Sequence, residues 1–129
     1  MQPKDTMAQF RLEGRRALIT GGSQGLGLVI GHALSAAGAE VVIVSRTLDS
    51  CKKAQREIET STGNKAYALA ADVAQWDQVQ RLAENVSREV GTIDIVLNSA
   101  GLNRRGAINE LEVADWDAVM DINLKAPFL

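Results

Sequence analysis

Four glycines fall within eight residues of this sequence, in the stretch T-G-G-S-Q-G-L-G from Thr20 to Gly27. The stretch separates a short apolar run, R-A-L-I-T from Arg16, from an apolar helical pattern, V-I-G-H-A-L from Val29. Glycine costs roughly 0.5–1 kcal/mol relative to alanine inside a regular element, so the cluster indicates a turn whose shape excludes Cβ atoms. Two interpretations are open at this point. One is a tight loop without a ligand, and the other is a loop whose N–H groups, at the start of the next helix, face a bound anion.

Four short apolar runs are predicted to be strands because they are rich in β-branched residues or bounded by charge and glycine. They are R-A-L-I-T from Arg16, E-V-V-I-V-S from Glu40, A-Y-A-L-A-A-D from Ala66 and I-D-I-V-L-N from Ile93. They recur roughly every 25 residues with a helical pattern in each gap, which is the cadence of βαβ units. The predicted fold class is therefore α/β, a doubly wound parallel sheet of four strands with helices on both faces. The 129 residues fit one domain, at residues 15–129, after a loose N-terminal arm at residues 1–14.

Each predicted helix carries an apolar stripe at the three-and-four spacing. The stripes are Leu26, Ile30, Ala33, Leu34 and Ala37 in the first helix, Cys51, Ala54 and Ile58 in the second, and Val79, Leu82, Ala83, Val86 and Val90 in the third. Gly38 and Gly91 stand where C-terminal caps belong. His32, the only histidine, lies away from the first stripe and is predicted to be exposed.

The composition excludes several classes of protein. The chain has 14 basic and 16 acidic residues and no long run of either sign, which gives no reason to expect nucleic acid or an anionic membrane as a partner. No apolar run approaches the roughly 18 residues of a membrane span, and the first residues lack the apolar segment of a secretory signal, so we expect a cytoplasmic protein. Cys51 is the only cysteine, which excludes an internal disulfide, and no metal-ligand set is present.

The glycine cluster occupies the first turn between strand and helix, where a doubly wound sheet places a dinucleotide pyrophosphate against the helix N-terminus. Gly21, Gly25 and Gly27 give the spacing G-x-x-x-G-x-G. A P-loop is excluded because Leu28 and Val29 stand where lysine and a hydroxyl residue are required. This position favours dinucleotide binding over a loop without a ligand.

These residues resemble the short-chain dehydrogenase/reductase family, whose Thr-Gly-x-x-x-Gly-x-Gly pattern is matched by Thr20, Gly21, Gly25 and Gly27. Further signatures follow in order, and the resemblance extends over nearly the whole chain. Asp72-Val73 is similar to the pair that faces the adenine ring, Asn98-Ser99-Ala100-Gly101 is similar to the family's Asn-Asn-Ala-Gly apart from Ser99, and Asp121-Ile122-Asn123 stands where the family carries a catalytic asparagine. The resemblance implies a Rossmann-type sheet and hydride transfer between a nicotinamide cofactor and a carbonyl or secondary alcohol.

The residues after the second strand select between the two nicotinamide cofactors. A 2′-phosphate needs positive charge there, whereas an unphosphorylated ribose prefers a carboxylate. The strand ends V-S-R, so Ser45 and Arg46 occupy this place and favour NADP over NAD, because arginine offers a planar fork of donors to phosphate. The alternative is that Arg46 caps a surface loop. Asp49 is interpreted as the N-cap of the next helix.

These motifs together define one predicted site. Its cofactor-binding residues are Thr20, Gly21, Ser23, Gln24, Gly25, Leu26, Gly27, Ser45, Arg46, Asp72, Val73, Asn98, Ala100 and Gly101, and its catalytic residue is Asn123. Asn123 shares a helical stripe with Trp116, Val119 and Met120, which predicts a buried amide. Either this amide fixes a neighbouring loop, or, as the resemblance implies, it holds a water in a proton relay.

The acid/base that the family uses, a Tyr-x-x-x-Lys pair, has no counterpart in these residues. Tyr67 is the only tyrosine, and Ala71 stands four positions later. We therefore expect an N-terminal half of a longer enzyme, with an incomplete sheet, an uncovered edge on the fourth strand, and no activity in the 129 residues themselves. In full length, the resemblance implies a homodimer or homotetramer.

Two further interpretations follow from the same residues. G-L-N-R-R-G, from Gly101, resembles gluconate 5-dehydrogenase-like members of the family. A dinucleotide-binding or sensing domain without catalysis is the alternative function, because the acid/base is absent. A methyltransferase is disfavoured, since its second strand usually ends with an acidic residue rather than Arg46.

Overall fold

The computed structural model describes residues 6–129, so the part of the predicted arm at residues 1–5 lies outside the described residues. A short 3₁₀ helix at Thr6–Phe10 precedes an alternation of strands and helices. These are β1 (Arg16–Thr20), α1 (Gly25–Ala36), β2 (Glu40–Ser45), α2 (Leu48–Thr62), β3 (Ala66–Ala70), α3 (Trp76–Glu89), β4 (Ile95–Asn98), α4 (Val113–Met120), a π-helical turn (Asp121–Lys125) and α5 (Ala126–Phe128).

The four strands form one parallel sheet in the order β3-β2-β1-β4. Leu18 in β1 stands beside Val42 of β2 and Val96 of β4. This Rossmann-like arrangement, with helices around the sheet, confirms the predicted fold class. The fourth strand begins at Ile95 rather than at Ile93, because the carboxylate of Asp94 accepts a hydrogen bond from the Arg16 N–H group at 2.9 Å and closes the start of the β1–β4 ladder.

The alternation of side chains along β1 and β2 builds two apolar layers, one on each face of the sheet. On one face, Ile19 and Ile43 pack with three fully or almost fully buried residues of α2, Cys51, Ala54 and Ile58. On the other face, Val42 and Val44 pack with Leu82, Val86 and Val90 at α3. The predicted stripe of the second helix is therefore confirmed, and that of the third is confirmed except for Ala83, which is exposed.

The first helix buries only part of the apolar stripe that the sequence suggests, since Leu34 packs against the core while Ala33 is exposed. Its buried residues are Gly27, Gly31 and Ser35, whereas Leu26 of the predicted stripe is 78% exposed. A Cβ atom at Gly31 would lie 3.2 Å from Cδ1 of Ile19. Small residues thus allow α1 to lie close against β1, and this close approach outweighs the apolar surface of the longer side chains.

The way α1 packs also determines the environment of His32. This residue is partly buried, and its Nδ1 lies 3.0 Å from Oγ of Ser61 in α2, so the predicted exposure is wrong. Gly38 and Gly91 follow the ends of α1 and α3, as predicted, and the Gly91 N–H donates to the Val86 carbonyl at 2.9 Å.

Within residues 6–129, β3 and β4 are the edge strands of the sheet. Val96 in β4 is 60% exposed, as expected for an uncovered edge. An apolar groove of about 380 Å³ lies beside β4, between α3 and the last residues, Ala126 to Leu129. No helix among the described residues has the length and apolar character needed to cross a membrane.

Charged groups cluster at the end of the sheet where the strands begin. Asp94 accepts hydrogen bonds from the Arg16 N–H at 2.9 Å and from the Arg15 guanidinium at 3.1 Å. These two contacts, the backbone one first, hold the pKa of Asp94 below its ordinary value of 3.8. Glu40 accepts from Nε of Arg16 at 3.1 Å and from the Tyr67 hydroxyl at 3.4 Å.

We expect the substitution Asp94→Asn to destabilise the chain in a pH-dependent way. Because the folded state lowers the pKa of Asp94, the carboxylate stabilises the fold at pH values above 3.8 and loses that contribution as the pH falls through the lowered pKa. Urea unfolding from neutral pH into acid should show a gap between the two chains that closes in acid. A gap that keeps its neutral-pH size at the lowest pH would contradict this assignment.

Candidate dinucleotide-binding site

A cleft of about 500 Å³ opens at the edge of the sheet where the strands end. The turns that follow β1, β2, β3 and β4 all contribute to its wall. In an open α/β sheet this is the place where the strand order reverses, here between β1 and β4, and ligands bind in the crevice outside the carboxyl ends of the strands. Topology alone therefore selects this cleft as the candidate site.

The glycine turn after β1 is folded so tightly that side chains are excluded at two positions. A Cβ atom at Gly27 would overlap the carbonyl oxygen of Gly21, and one at Gly21 would lie 2.8 Å from the backbone of Ala100. Thr20 strengthens the second contact, since its Oγ1 accepts a hydrogen bond from the Ala100 N–H at 3.2 Å. The turns after β1 and β4 are thus held against each other, and together they form one wall of the cleft.

The N-terminus of α1 opens into this cleft. The first helical N–H groups, beginning at Gly25, have no acceptor within the helix, and the side chain of Gln24, the N-cap residue, makes no capping hydrogen bond. Gly25 has a φ of +56°, and a Cβ atom there would meet nothing within 4 Å. A positive helix end with free space in front of it fits the pyrophosphate of a dinucleotide.

The second candidate anion-binding element lies at the end of β2. Ser45, Arg46, Thr47 and Ser50 line the cleft, and Arg46 makes no ion pair or side-chain hydrogen bond with the residues that the structure describes. The Ser45 hydroxyl donates to the Thr47 carbonyl at 3.3 Å and lies 3.0 Å from Sγ of buried Cys51. An exposed guanidinium with no partner among residues 6–129 supports the anion-binding interpretation of Arg46 over the capping one.

Asp49 does not have the role predicted for it. The extended residue before α2 is Thr47, with φ −111° and ψ +114°, and Leu48 already begins the helix. Asp49 therefore stands in the first turn of α2 and is not its N-cap, so the N-cap prediction is wrong. Its carboxylate still complements the helix dipole there.

The turn after β3 contributes apolar surface rather than charge. Ala71 and Val73 line the cleft, but Asp72 does not. The Asp72 carboxylate accepts a hydrogen bond from the Ala74 N–H at 3.0 Å, and the Asp72 N–H donates to Oε1 of Gln78 at 2.8 Å. Asp72 thus shapes the turn that presents Val73 to the cleft.

The structure brings most of the predicted cofactor-binding residues together. Those that line the cleft are Gly21, Ser23, Gln24, Gly25, Leu26, Gly27, Ser45, Arg46, Val73, Ala100 and Gly101. Thr20, Asp72, Asn98 and Asn123 are outside its wall, and Asn98 borders the apolar groove beside β4 instead. The sequence argument missed Val44, Thr47, Ser50, Ala71, Ser99, Leu102 and Ile122. Ser50 could have been found, because it lies four residues after Arg46 in the first turn of α2.

Asn123 is exposed rather than buried, which corrects the predicted stripe. Val119 and Met120 are partly buried, whereas Trp116 is 66% exposed. Asn123 lies within the π-helical turn Asp121–Lys125, where the three-and-four spacing does not hold, whereas Trp116 is exposed within α4 itself. The Asn123 amide donates to the Leu102 carbonyl and accepts from the Leu102 N–H, both at 2.9 Å. Asn123 thus fixes the loop after β4, and its part in a proton relay stays a prediction.

A sequence model described as "short chain dehydrogenase" matches residues 15–129. The chain belongs to the short-chain dehydrogenase family. It is 40% identical over 119 residues to a gluconate 5-dehydrogenase of Gluconobacter oxydans, an alignment that covers 92% of this chain and 46% of that protein. The chain therefore spans about half the length of the curated relatives it matches.

Solved structures of the short-chain dehydrogenase family share this fold. A gluconate 5-dehydrogenase from Burkholderia cenocepacia, in complex with NADP and tartrate, is 38% identical with a TM-score of 0.88, over 95% of this chain and 48% of that one. An L-sorbose reductase from Gluconobacter frateurii, complexed with NADPH and L-sorbose, is 30% identical with a TM-score of 0.87, over 92% of this chain and 45% of that one.

The close approach of α1 to the glycine turn can be tested with Gly27→Ala. Because the new Cβ would overlap the Gly21 carbonyl oxygen, we expect the free energy of unfolding to fall by about 2 kcal/mol or more. Gly106→Ala is the control, since a Cβ there meets only the Leu111 side chain, at 3.4 Å, and should change stability by less than about 0.5 kcal/mol. Equal effects in urea unfolding would disprove the steric argument.

The double contact of Asn123 with Leu102 can be tested with Asn123→Ala. Loss of two neutral hydrogen bonds, each contributing about 0.5–1.5 kcal/mol, should lower the free energy of unfolding by about 1–2 kcal/mol. Asn103→Ala is the matched control, because this exposed side chain makes no hydrogen bond with the described residues. The assignment fails if both variants unfold at the same urea concentration.

Proposed function

We propose that residues 15–129 form the NADP-binding part of an oxidoreductase of the short-chain dehydrogenase family. The observation that carries this proposal is the pairing of two anion sites in one cleft. The open N-terminus of α1 lies on one side, and Arg46, which has no ion pair among the described residues, lies on the other. A dinucleotide with a phosphate on its adenosine ribose carries anionic groups that suit both sites.

The roles proposed for the residues follow from their positions. The N–H groups at the start of α1 would bind the pyrophosphate, and the guanidinium of Arg46, with the hydroxyl of Ser45, would bind the 2′-phosphate. Val73 and Ala71 offer apolar contact to the adenine ring. The bound NADPH or NADP would supply or accept a hydride. The structural relatives complexed with NADP and NADPH support this choice of cofactor.

We infer that the substrate of the full-length enzyme is a carbonyl compound or a secondary alcohol, as the names of the relatives suggest. Proton transfer to or from such a substrate needs an acid/base at its oxygen. Tyr67 is the only tyrosine in these 129 residues, and its hydroxyl donates to Glu40 from the edge strand β3. We therefore propose that these residues bind the cofactor without turning over substrate.

We further propose that the full-length enzyme assembles as a homodimer or homotetramer. Several large apolar side chains of the last helical segments are exposed, and they suit burial against other protein. They are Val113, Trp116, Leu124 and Phe128.

The experiment that tests the proposed function is a comparison of NADPH and NADH binding by calorimetry. The substitution Arg46→Asp removes charge-assisted hydrogen bonds to the 2′-phosphate, each contributing about 1.5–3 kcal/mol, so the affinity for NADPH should fall roughly 100-fold. The affinity for NADH should stay within about twofold.

Arg56→Asp is the matched control for this experiment. It makes the same charge change on the exposed surface of α2, at a residue that does not line the cleft, and it should leave both affinities close to those of the unchanged chain. If Arg46→Asp leaves the ratio of the two affinities unchanged, the assignment of NADP is wrong.

A further inference from the structure

A second, smaller cavity of about 330 Å³ adjoins the cleft on the side of α2. We call it the α2 cavity. The two share four residues, Ser23, Gln24, Gly25 and Ser50. Lys53 and Glu57 complete the polar wall of the α2 cavity, and the sequence argument assigned neither of them a role. The α2 cavity therefore connects the glycine turn and the region around Arg46 to a second cation.

Lys53 is placed to reach the cleft. It lies three residues after Ser50 on α2, so the two side chains emerge on the same side of the helix, and both line the α2 cavity. Its side chain is 74% exposed and its ammonium group is carried by a flexible four-carbon stem. Ser50 also lines the cleft, so Lys53 lies one turn of α2 away from a residue of the cleft wall.

The existing partner of Lys53 holds it weakly. Its ion pair with Glu57 spans 3.9 Å, between two exposed side chains, and exposed pairs of this kind contribute little. The order is also unfavourable, because glutamate four residues before lysine is more stabilising on a helix than the reverse. A phosphate dianion in the cleft would compete successfully with Glu57 for this ammonium group.

The first turns of α2 carry charges of both signs. Asp49 and Glu57 are acidic, whereas Lys52, Lys53 and Arg56 are basic. Of these three cations only Lys53 lines the α2 cavity, so Lys53 is the cation of α2 that is placed to act beside Arg46.

We propose that Lys53 is a specificity-determining residue, which pairs through the α2 cavity with the phosphate on the adenosine ribose of NADP, and that Glu57 opposes this phosphate. This inference rests on the proposed function and extends it, because it assigns recognition of the phosphate to α2 as well as to Arg46. NADH lacks the phosphate on the adenosine ribose, so it gains less from Lys53 than NADPH does.

The test measures NADPH and NADH affinities of Lys53→Gln and Lys52→Gln at about 0.15 M salt, where the Debye length of about 8 Å screens charges that do not contact the cofactor. Lys53→Gln should weaken NADPH binding roughly five- to tenfold, as expected for loss of one charge-assisted contact at an exposed site, and leave NADH binding unchanged within about twofold. Lys52→Gln removes the same charge from the neighbouring position, which does not line the α2 cavity, and should change neither affinity. Lys53 is exposed, so the substitution leaves the core intact.

Glu57→Gln tests whether Lys53 binds the phosphate or only stabilises α2. It frees Lys53 and removes a carboxylate, so NADPH binding should become at least about twofold tighter while NADH binding stays constant. Equal losses for Lys53→Gln and Lys52→Gln, or equal losses of both cofactors, would overturn the inference while the Arg46 result still supports the proposed function. If the unchanged chain binds neither cofactor, the proposed function fails and this inference falls with it.

Discussion

The carbonyl oxygen of Gly21 occupies the space in which any side chain at Gly27 would begin. This contact ties the turn after β1 to the first turn of α1, and the packing of Gly31 against Ile19 continues it one turn further along. The helix therefore starts close to the end of β1, with its positive end directed at the edge of the sheet. Because Gly21 also packs against Ala100, the turn after β4 is brought to the same place. Removal of either contact would disturb the wall of the cleft that the turns after β1 and β4 form together.

The polar groups at the two ends of the sheet differ in whether they are already paired. At the start of the strands, Arg15, Arg16, Glu40 and Asp94 satisfy one another through ion pairs and backbone hydrogen bonds. At the ends of the strands, the helix terminus and Arg46 make no comparable contacts among the described residues. Groups that stabilise the fold are paired before any ligand arrives, whereas those at the cleft are held apart by the backbone. The donors at the cleft are therefore available to a ligand, as the proposed binding of an anionic cofactor requires.

The sequence predicts the strands and the glycine turn because both depend on local features, namely alternation, β-branched residues and the absence of Cβ atoms. Arg46 is predictable for the same reason, since it directly follows β2. The buried face of α1 is not, because Gly27, Gly31 and Ser35 are buried by close approach to the sheet rather than by apolar surface. Asn123 is misplaced because a π-helical turn breaks the assumed spacing. Leu102 and Ile122 reach the cleft because the loop after β4 packs against the π-helical turn, which spacing along one segment does not reveal.

The most direct test of the account follows backbone amide signals by NMR while NADPH is added to the chain. We predict that the largest shift changes fall at Gly21 to Leu28 and at Ser45 to Thr47, with a smaller group at Ala71 to Val73. Amides at the start of the strands, such as that of Asp94, should stay unchanged. Saturable changes confined to the apolar groove beside β4, or no changes at the start of α1, would contradict the claim that the glycine turn holds the pyrophosphate.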